Sequence, residues 1–139
     1  MVWKYSYEEM LDRAYKKLPE NIKKASRFEI PKLVSQVQGN KTIIKQFSKL
    51  SKGINREGTH LIKFLLRELA TTGKVEGKHA VFVGKFSNDF LSRKFNKYIE
   101  EFVLCDQCKK PDTELIKERG LIFKKCEACG AKSSVRRLK

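Results

Sequence analysis

The first regular pattern along the chain is SYEEMLDRAYKKLP, in which the apolar residues Tyr7, Met10, Leu11, Ala14, Tyr15 and Leu18 step by three and four. That spacing puts all six on one stripe of a helix, with the charges opposite. Ser6 followed three residues later by Glu9 forms a capping box, so the helix should begin at Tyr7 and stop before Pro19. Such a helix is only ~18 Å long, at the margin of what survives alone in water. Something must therefore cover the stripe, either the chain's own core or a partner. Buried large side chains contribute roughly 1.5 to 3 kcal/mol each, enough for the stripe to hold a foreign surface without help from charge. The polar residues that follow, 20 to 27, read as a linker rather than a tight turn.

From residue 28 to 103 the pattern mixes strands and helices. FEIPKLVSQVQGNKTIIKQF holds two β-rich runs around Gly39-Asn40, a hairpin signal, and FSKLSKGI predicts a short helix. THLIKFLLRELATTG predicts a helix from Thr59 to Ala70, apolar nearly all round, with Gly73 beyond its end. KVEGKHAVFVGKF reads as a second hairpin turning near Gly77-Lys78. SNDFLSRKFNKYIEEF reads as a helix with Phe90, Leu91, Phe95, Tyr98, Ile99 and Phe102 facing inward. The expected class is α+β: an N-terminal amphipathic helix (1–19), a linker (20–27), a central α/β domain with a mainly antiparallel sheet (28–103), and a small C-terminal module (104–139).

Charge sharpens the functional reading. The chain has 139 residues and a formal net charge of +15. Residues 1–20 are neutral, with four cations against four acids; residues 21–104 hold seventeen against seven, and 105–139 ten against five. A surplus of this size points to a polyanionic partner such as nucleic acid or an acidic protein face. The opening MVWKYSYEEM lacks a signal-peptide apolar run, and no stretch approaches the roughly 18 apolar residues of a membrane span. A cytoplasmic protein without a membrane partner is expected.

The chemistry-bearing residues lie at the end of the chain. Cys105, Cys108, Cys126 and Cys129 have the spacing C-x2-C-x17-C-x2-C, within the pattern of a zinc site. Two tight turns can aim four thiolates at one Zn²⁺ with Zn–S of ~2.3 Å. DTELIKE and LIFKKC pair as strands across Arg119-Gly120, and SSVRRL forms a third, which together describe a zinc ribbon. A module of 35 residues cannot bury a sufficient core, so metal must hold it, contributing on the order of 10 to 16 kcal/mol. Four thiolates leave no open coordination position, so the zinc is structural. The rival is a thiol oxidoreductase, for which the accompanying βαβ pattern is missing. Around the knuckles, Lys109, Lys110, Lys124, Lys125, Lys132, Arg136, Arg137 and Lys139 are candidates for phosphate contact, or else a solubilising face. His60 and His79 are isolated structural residues. No GxxxxGK[ST], GxSxG or HExxH motif occurs, so no enzymatic activity is expected. A second class of function remains: two helices and a hairpin also describe a DNA-binding winged helix, whose recognition helix would offer outward only Lys63, Arg67 and Glu68.

YEEMLDRAYKKLP, TIIKQF, NREGTHLIKFLLRELATTG, VLCDQCKKPDT and LIFKKCEACGAKSSV, in this order, resemble the beta subunit of archaeal and eukaryotic translation initiation factor 2 over nearly the whole chain. The resemblance implies a non-catalytic member of a heterotrimer with alpha and gamma subunits. That assembly carries initiator methionyl-tRNA to the small ribosomal subunit and its RNA, with GTP bound by the gamma subunit. It also implies an owner for the orphan stripe, because in this family the N-terminal helix docks on the gamma subunit's GTPase domain. Eukaryotic members carry a long lysine-rich extension before that helix; this sequence starts close to the helix and is expected to be archaeal-type. The related translation initiation factor 5 activates a GTPase through an N-terminal arginine, which MVWKYSYEEM does not supply.

Overall fold

The computed structural model describes residues 4–19 and 28–138. The expected linker and Lys139 lie outside them. The order of elements is α1 (Tyr7–Lys17), β1 (Ser35–Gln38), β2 (Lys41–Ile44), α2 (Phe47–Gly53), α3 (Gly58–Leu69), β3 (Gly73–Glu76), β4 (His79–Val83), α4 (Asn88–Tyr98) with a π-helical turn (Ile99–Val103), β5 (Thr113–Glu118), β6 (Leu121–Cys126) and β7 (Lys132–Val135). The α+β class expected from the pattern is the one observed, and both sheets are antiparallel.

Helix α1 begins where its capping box places it. The Ser6 amide donates to Glu9 Oε2 at 2.9 Å, and the Glu9 amide donates to Ser6 Oγ at 3.2 Å. None of the helix's residues is buried. Tyr7 is 74% exposed and Tyr15 58%, and Met10, Leu11 and Leu18 are exposed as well.

In the central region the two hairpins do not stand apart. They join through β2 and β4 into a sheet of order β1-β2-β4-β3, with Lys41 opposite Val83 and Ile44 opposite Ala80. Period-two alternation buries Thr42, Ile44, Ala80 and Phe82 on one face, against α2, α3 and α4. The β-rich run from Phe28 becomes a strand only at Ser35. Pro31 lies in the preceding stretch and has no amide to give a ladder; Leu33 is buried instead as a core residue.

Helix α3 sits at the centre, burying Leu61, Ile62, Phe64, Leu65 and Leu69. It ends on Ala70 in the left-handed conformation (φ 48°), so Gly73 is not its cap. Glycine is needed at 73 for a different reason: a Cβ there would meet the Val81 carbonyl oxygen at 2.4 Å, inside the β3–β4 pairing. The expected inward residues of α4 hold except Phe90, which is 37% exposed and stacks on Phe86 with ring centroids 6.3 Å apart. Phe90 is in register with Lys94 and Lys97 on the helix, not with the buried Leu91, Phe95 and Tyr98. Tyr98, Phe102 and Phe64 form an edge-and-stack cluster with centroids 5.1 to 5.7 Å apart.

Strands β5, β6 and β7 form the second sheet, in that order. Their first turn places Arg119 (φ 49°) and Gly120 (φ 82°) both in the left-handed region, as a two-residue hairpin loop requires. The expected third strand stops at Val135, earlier than the pattern predicts. Beyond it the chain leaves the sheet and buries Leu138 in the central core, where Leu115 and Val135 also pack.

Candidate metal centre and charged surface

Each cysteine pair sits on a turn of the same form. In the first, the Cys105 amide donates to the Lys110 carbonyl at 3.0 Å and the Lys109 amide to the Cys105 carbonyl at 3.0 Å. In the second, the Cys126 amide donates to the Ala131 carbonyl at 2.8 Å and the Gly130 amide to the Cys126 carbonyl at 3.0 Å. The residue after each second cysteine is left-handed, Lys109 at φ 56° and Gly130 at φ 73°. Glycine takes that conformation freely, whereas lysine adopts it at some strain. The pairing of Thr113 with Cys126 brings the two turns face to face.

All four sulfurs lie within 4.8 Å of one another, and Cys105–Cys129 and Cys108–Cys126 are each 3.5 Å apart. A tetrahedron of thiolates around Zn²⁺ at ~2.3 Å has edges of about 3.8 Å, so the donor set fits zinc in both chemistry and spacing. No disulfide links them. The thiols are also electrostatically unlike. Backbone amides of Cys108 and Gln107 hold Cys105 down to about 6. The Ala131 amide favours the Cys129 thiolate, but desolvation and the three neighbouring sulfurs outweigh it and push Cys129 up to about 12. Crowded thiols without a cation cannot all ionise, and a divalent cation at their centre removes that conflict. Neither histidine joins the set. His60 is half-buried, with Nδ1 2.9 Å from the Tyr98 hydroxyl, and His79 is exposed.

The cations near the thiols divide into engaged and free. Lys124 is a correction to the phosphate-contact set: its side chain is only 2% exposed, and its ammonium donates to the Glu101 carbonyl at 3.0 Å and to Asp106 at 3.1 Å. It lies on the inward face of β6 and ties the first knuckle to the π-helical turn. Hydrogen bonds from Ser133 and Lys124 hold the Asp106 carboxyl below its usual value. Lys132 pairs with Glu118 at 2.6 Å. Arg136 pairs with Glu101 at 2.6 Å and Glu68 at 3.1 Å. Lys109, Lys110, Lys125 and Arg137 are exposed and form no ion pair among the described residues.

Two residues the sequence pattern did not single out join the ribbon to the rest. Arg56, between α2 and α3, donates to the Phe102 carbonyl at 2.7 Å, to the Thr113 carbonyl at 2.7 Å and to the Thr113 hydroxyl at 2.7 Å. Glu68, on α3, accepts from Arg136, Lys94 and Lys97, and these hold its carboxyl down to about 2. Arg56 stands inside the NREGTH block, but nothing in the local pattern reveals partners 46 and 57 residues away. Glu68 is thus bound on three sides and α3 is buried by the core, so this helix has no free reading edge for a DNA groove.

A capped, uncovered amphipathic helix, an antiparallel α+β body and a four-thiol ribbon define a modular, basic binding protein. Residues 19–132 match the model of a protein family described as a domain found in initiation factors 2B and 5. A protein named "Translation initiation factor 2 subunit beta" from Methanosphaera stadtmanae is 45% identical over 132 residues, 95% of this chain and 93% of the relative. Its namesake from Methanopyrus kandleri is 46% identical over 135 residues, 97% and 98% of the two chains, and that from Methanococcus aeolicus 45% over 132, 95% of each. The chain belongs to the family of translation initiation factor 2 beta subunits.

Proposed function

We propose that this chain is the non-catalytic beta subunit of a cytoplasmic heterotrimer that delivers initiator methionyl-tRNA to the small ribosomal subunit in a GTP-dependent manner. Its units are the helix 1–19, the linker 20–27, the central domain 28–103 and the ribbon 104–139. The helix anchors the chain to the GTP-binding gamma subunit through Tyr7, Met10, Leu11, Ala14, Tyr15 and Leu18. The ribbon carries one structural Zn²⁺ on Cys105, Cys108, Cys126 and Cys129, and the basic surface meets tRNA or ribosomal RNA phosphates.

The observation that carries this reading is the exposed stripe of α1: a helix capped at its start, amphipathic along its length, and covered by none of the described residues. A helix of 11 residues is marginal alone, and such a stripe is the form in which a helix enters an apolar groove on another protein. Its near-neutral segment suits a hydrophobic contact, while the +15 of the chain resides elsewhere. The test is a gamma-subunit pull-down with Tyr7 and Leu11 both changed to Ala. Two lost anchors of roughly 1.5 to 3 kcal/mol each should weaken binding more than a hundredfold, with zinc content and circular dichroism of the remainder unchanged. Retained binding would refute the anchor.

A further inference from the structure

Two clefts open beside α2 and share a wall. One, of about 300 Å³, is lined by Lys32, Lys45 and Lys49 over an apolar floor that includes Pro31 and Val34. The other, of about 510 Å³, is lined by Ser48, Lys49, Lys52 and Lys78. Gln46 and Lys49 belong to both. No aspartate or glutamate lines either cleft, and none of the five lysines forms an ion pair or a side-chain hydrogen bond within the described residues.

These lysines come from three separate stretches, and the sheet topology gathers them. The Lys45 amide donates to the Val34 carbonyl at 2.9 Å, which lays the segment bearing Lys32 along the end of β2. The Ser48 amide donates to the Lys78 carbonyl at 3.4 Å, which holds the β3–β4 turn against α2. Lys45, Lys49 and Lys52 follow one another at spacings of four and three, so they share one edge of the α2 segment. Between the clefts, Gln46 is left-handed (φ 55°) and makes no side-chain capping bond, so its amide is free to offer hydrogen bonds.

Five unpaired ammonium groups around one helix repel one another, and the isolated chain gains nothing electrostatic from gathering them. The ribbon shows the opposite arrangement, with Lys124, Lys132 and Arg136 each met by a carboxylate of the chain itself. Polyanionic phosphates would relieve the repulsion in the clefts. No aromatic side chain lines them, so bases have no stacking platform and recognition falls to the backbone.

We propose that the paired clefts flanking α2 form an RNA-backbone site, in which Lys32, Lys45, Lys49, Lys52 and Lys78 contact successive phosphates without reading sequence. The proposal rests on the RNA-contacting function inferred above, and it moves the principal phosphate contacts from the ribbon to the central domain.

The test uses the full-length, zinc-loaded chain and a fluorescein-labelled RNA hairpin, with affinity measured by anisotropy across a salt series. K45A/K49A/K52A should bind roughly tenfold to a hundredfold more weakly, and the slope of log K against log salt should shrink by about 2 to 3, close to one per phosphate contact. K109A/K110A/K125A, in the ribbon, should shrink it by less than about 1. K45R/K49R/K52R should bind as the wild type does, which separates lost charge from damaged folding. If the central triple and wild type bind alike, or the arginine variant loses affinity with unchanged circular dichroism, the site is overturned. Equal displacement of the RNA by polyglutamate would overturn it in favour of an acidic protein surface. A wild-type chain that fails to bind the hairpin at all would sink the broader RNA-contacting reading as well, whereas the gamma pull-down would stand untouched.

Discussion

The two ends of this molecule solve the same problem in opposite ways. Helix α1 and the ribbon are both too small to be stable alone. The helix has saturated its local hydrogen bonds through Ser6 and Glu9 and rests on no other described element, leaving its apolar side chains exposed. The ribbon is tied in repeatedly: four thiols converge on one point, Arg56 and Lys124 bridge it to the carbonyls of Phe102 and Glu101, Arg136 reaches Glu68, and Leu138 enters the core. An element fastened at so many points works as part of the body, whereas one fastened at none is available to a partner.

The largest break in that comparison should come from the metal. Replacing Cys126 with Ser, or stripping the chain with a strong chelator, removes a contribution on the order of 10 kcal/mol from the ribbon. Hydrogen exchange should then show β5, β6 and β7 unprotected, with the core around Leu138 loosened too. Because α1 touches none of this, gamma binding by the helix should persist. A ribbon that keeps its protection without metal would mean that the packing onto the core suffices.

A smaller effect is expected at the joint. Arg56→Ala removes a guanidinium whose partners, the carbonyls of Phe102 and Thr113 and the Thr113 hydroxyl, have few other donors within reach. A loss of about 3 kcal/mol is expected in denaturant unfolding, with zinc content retained. If the ribbon were independent of the body, the same substitution would leave the midpoint where it was.

Smallest of all is a pH effect at the second tether. In the folded chain Arg136, with Lys94 and Lys97, holds the Glu68 carboxyl down to about 2, from an ordinary 4.5. Between those values the unfolded chain binds the proton and the folded chain does not, so stability is lost as pH falls from about 4.5 toward 2. Glu68→Gln should flatten that part of the acid-unfolding curve and lower stability at neutral pH by roughly 2 kcal/mol. An unchanged acid limb would show that the three cations do not act on Glu68 in solution.

Much of this architecture was legible because the signals are local. The capping box fixed the start of α1, the left-handed pair Arg119-Gly120 fixed the ribbon's first hairpin, and the x2 spacing fixed each knuckle. Phe90 was misplaced because an apolar residue at the edge of a helical stripe can turn either way, and its exposure depends on what neighbours the helix. The role of Lys124 was hidden for a related reason: one residue of strand register decides whether an ammonium faces solvent or the carbonyl of Glu101.

By itself the sequence determined which stretches are helix, strand and knuckle, where the four thiols come in pairs, and that one short helix carries an apolar stripe opposite its charges. Only the tertiary structure decided that this stripe stays uncovered by the described residues, that Arg56 and Glu68 are the ribbon's tethers, and that five lysines from three stretches gather around α2. The division follows the range of the forces: caps, turns and periodicity act within a few residues, whereas burial, ion pairing and like-charge crowding depend on partners far along the chain.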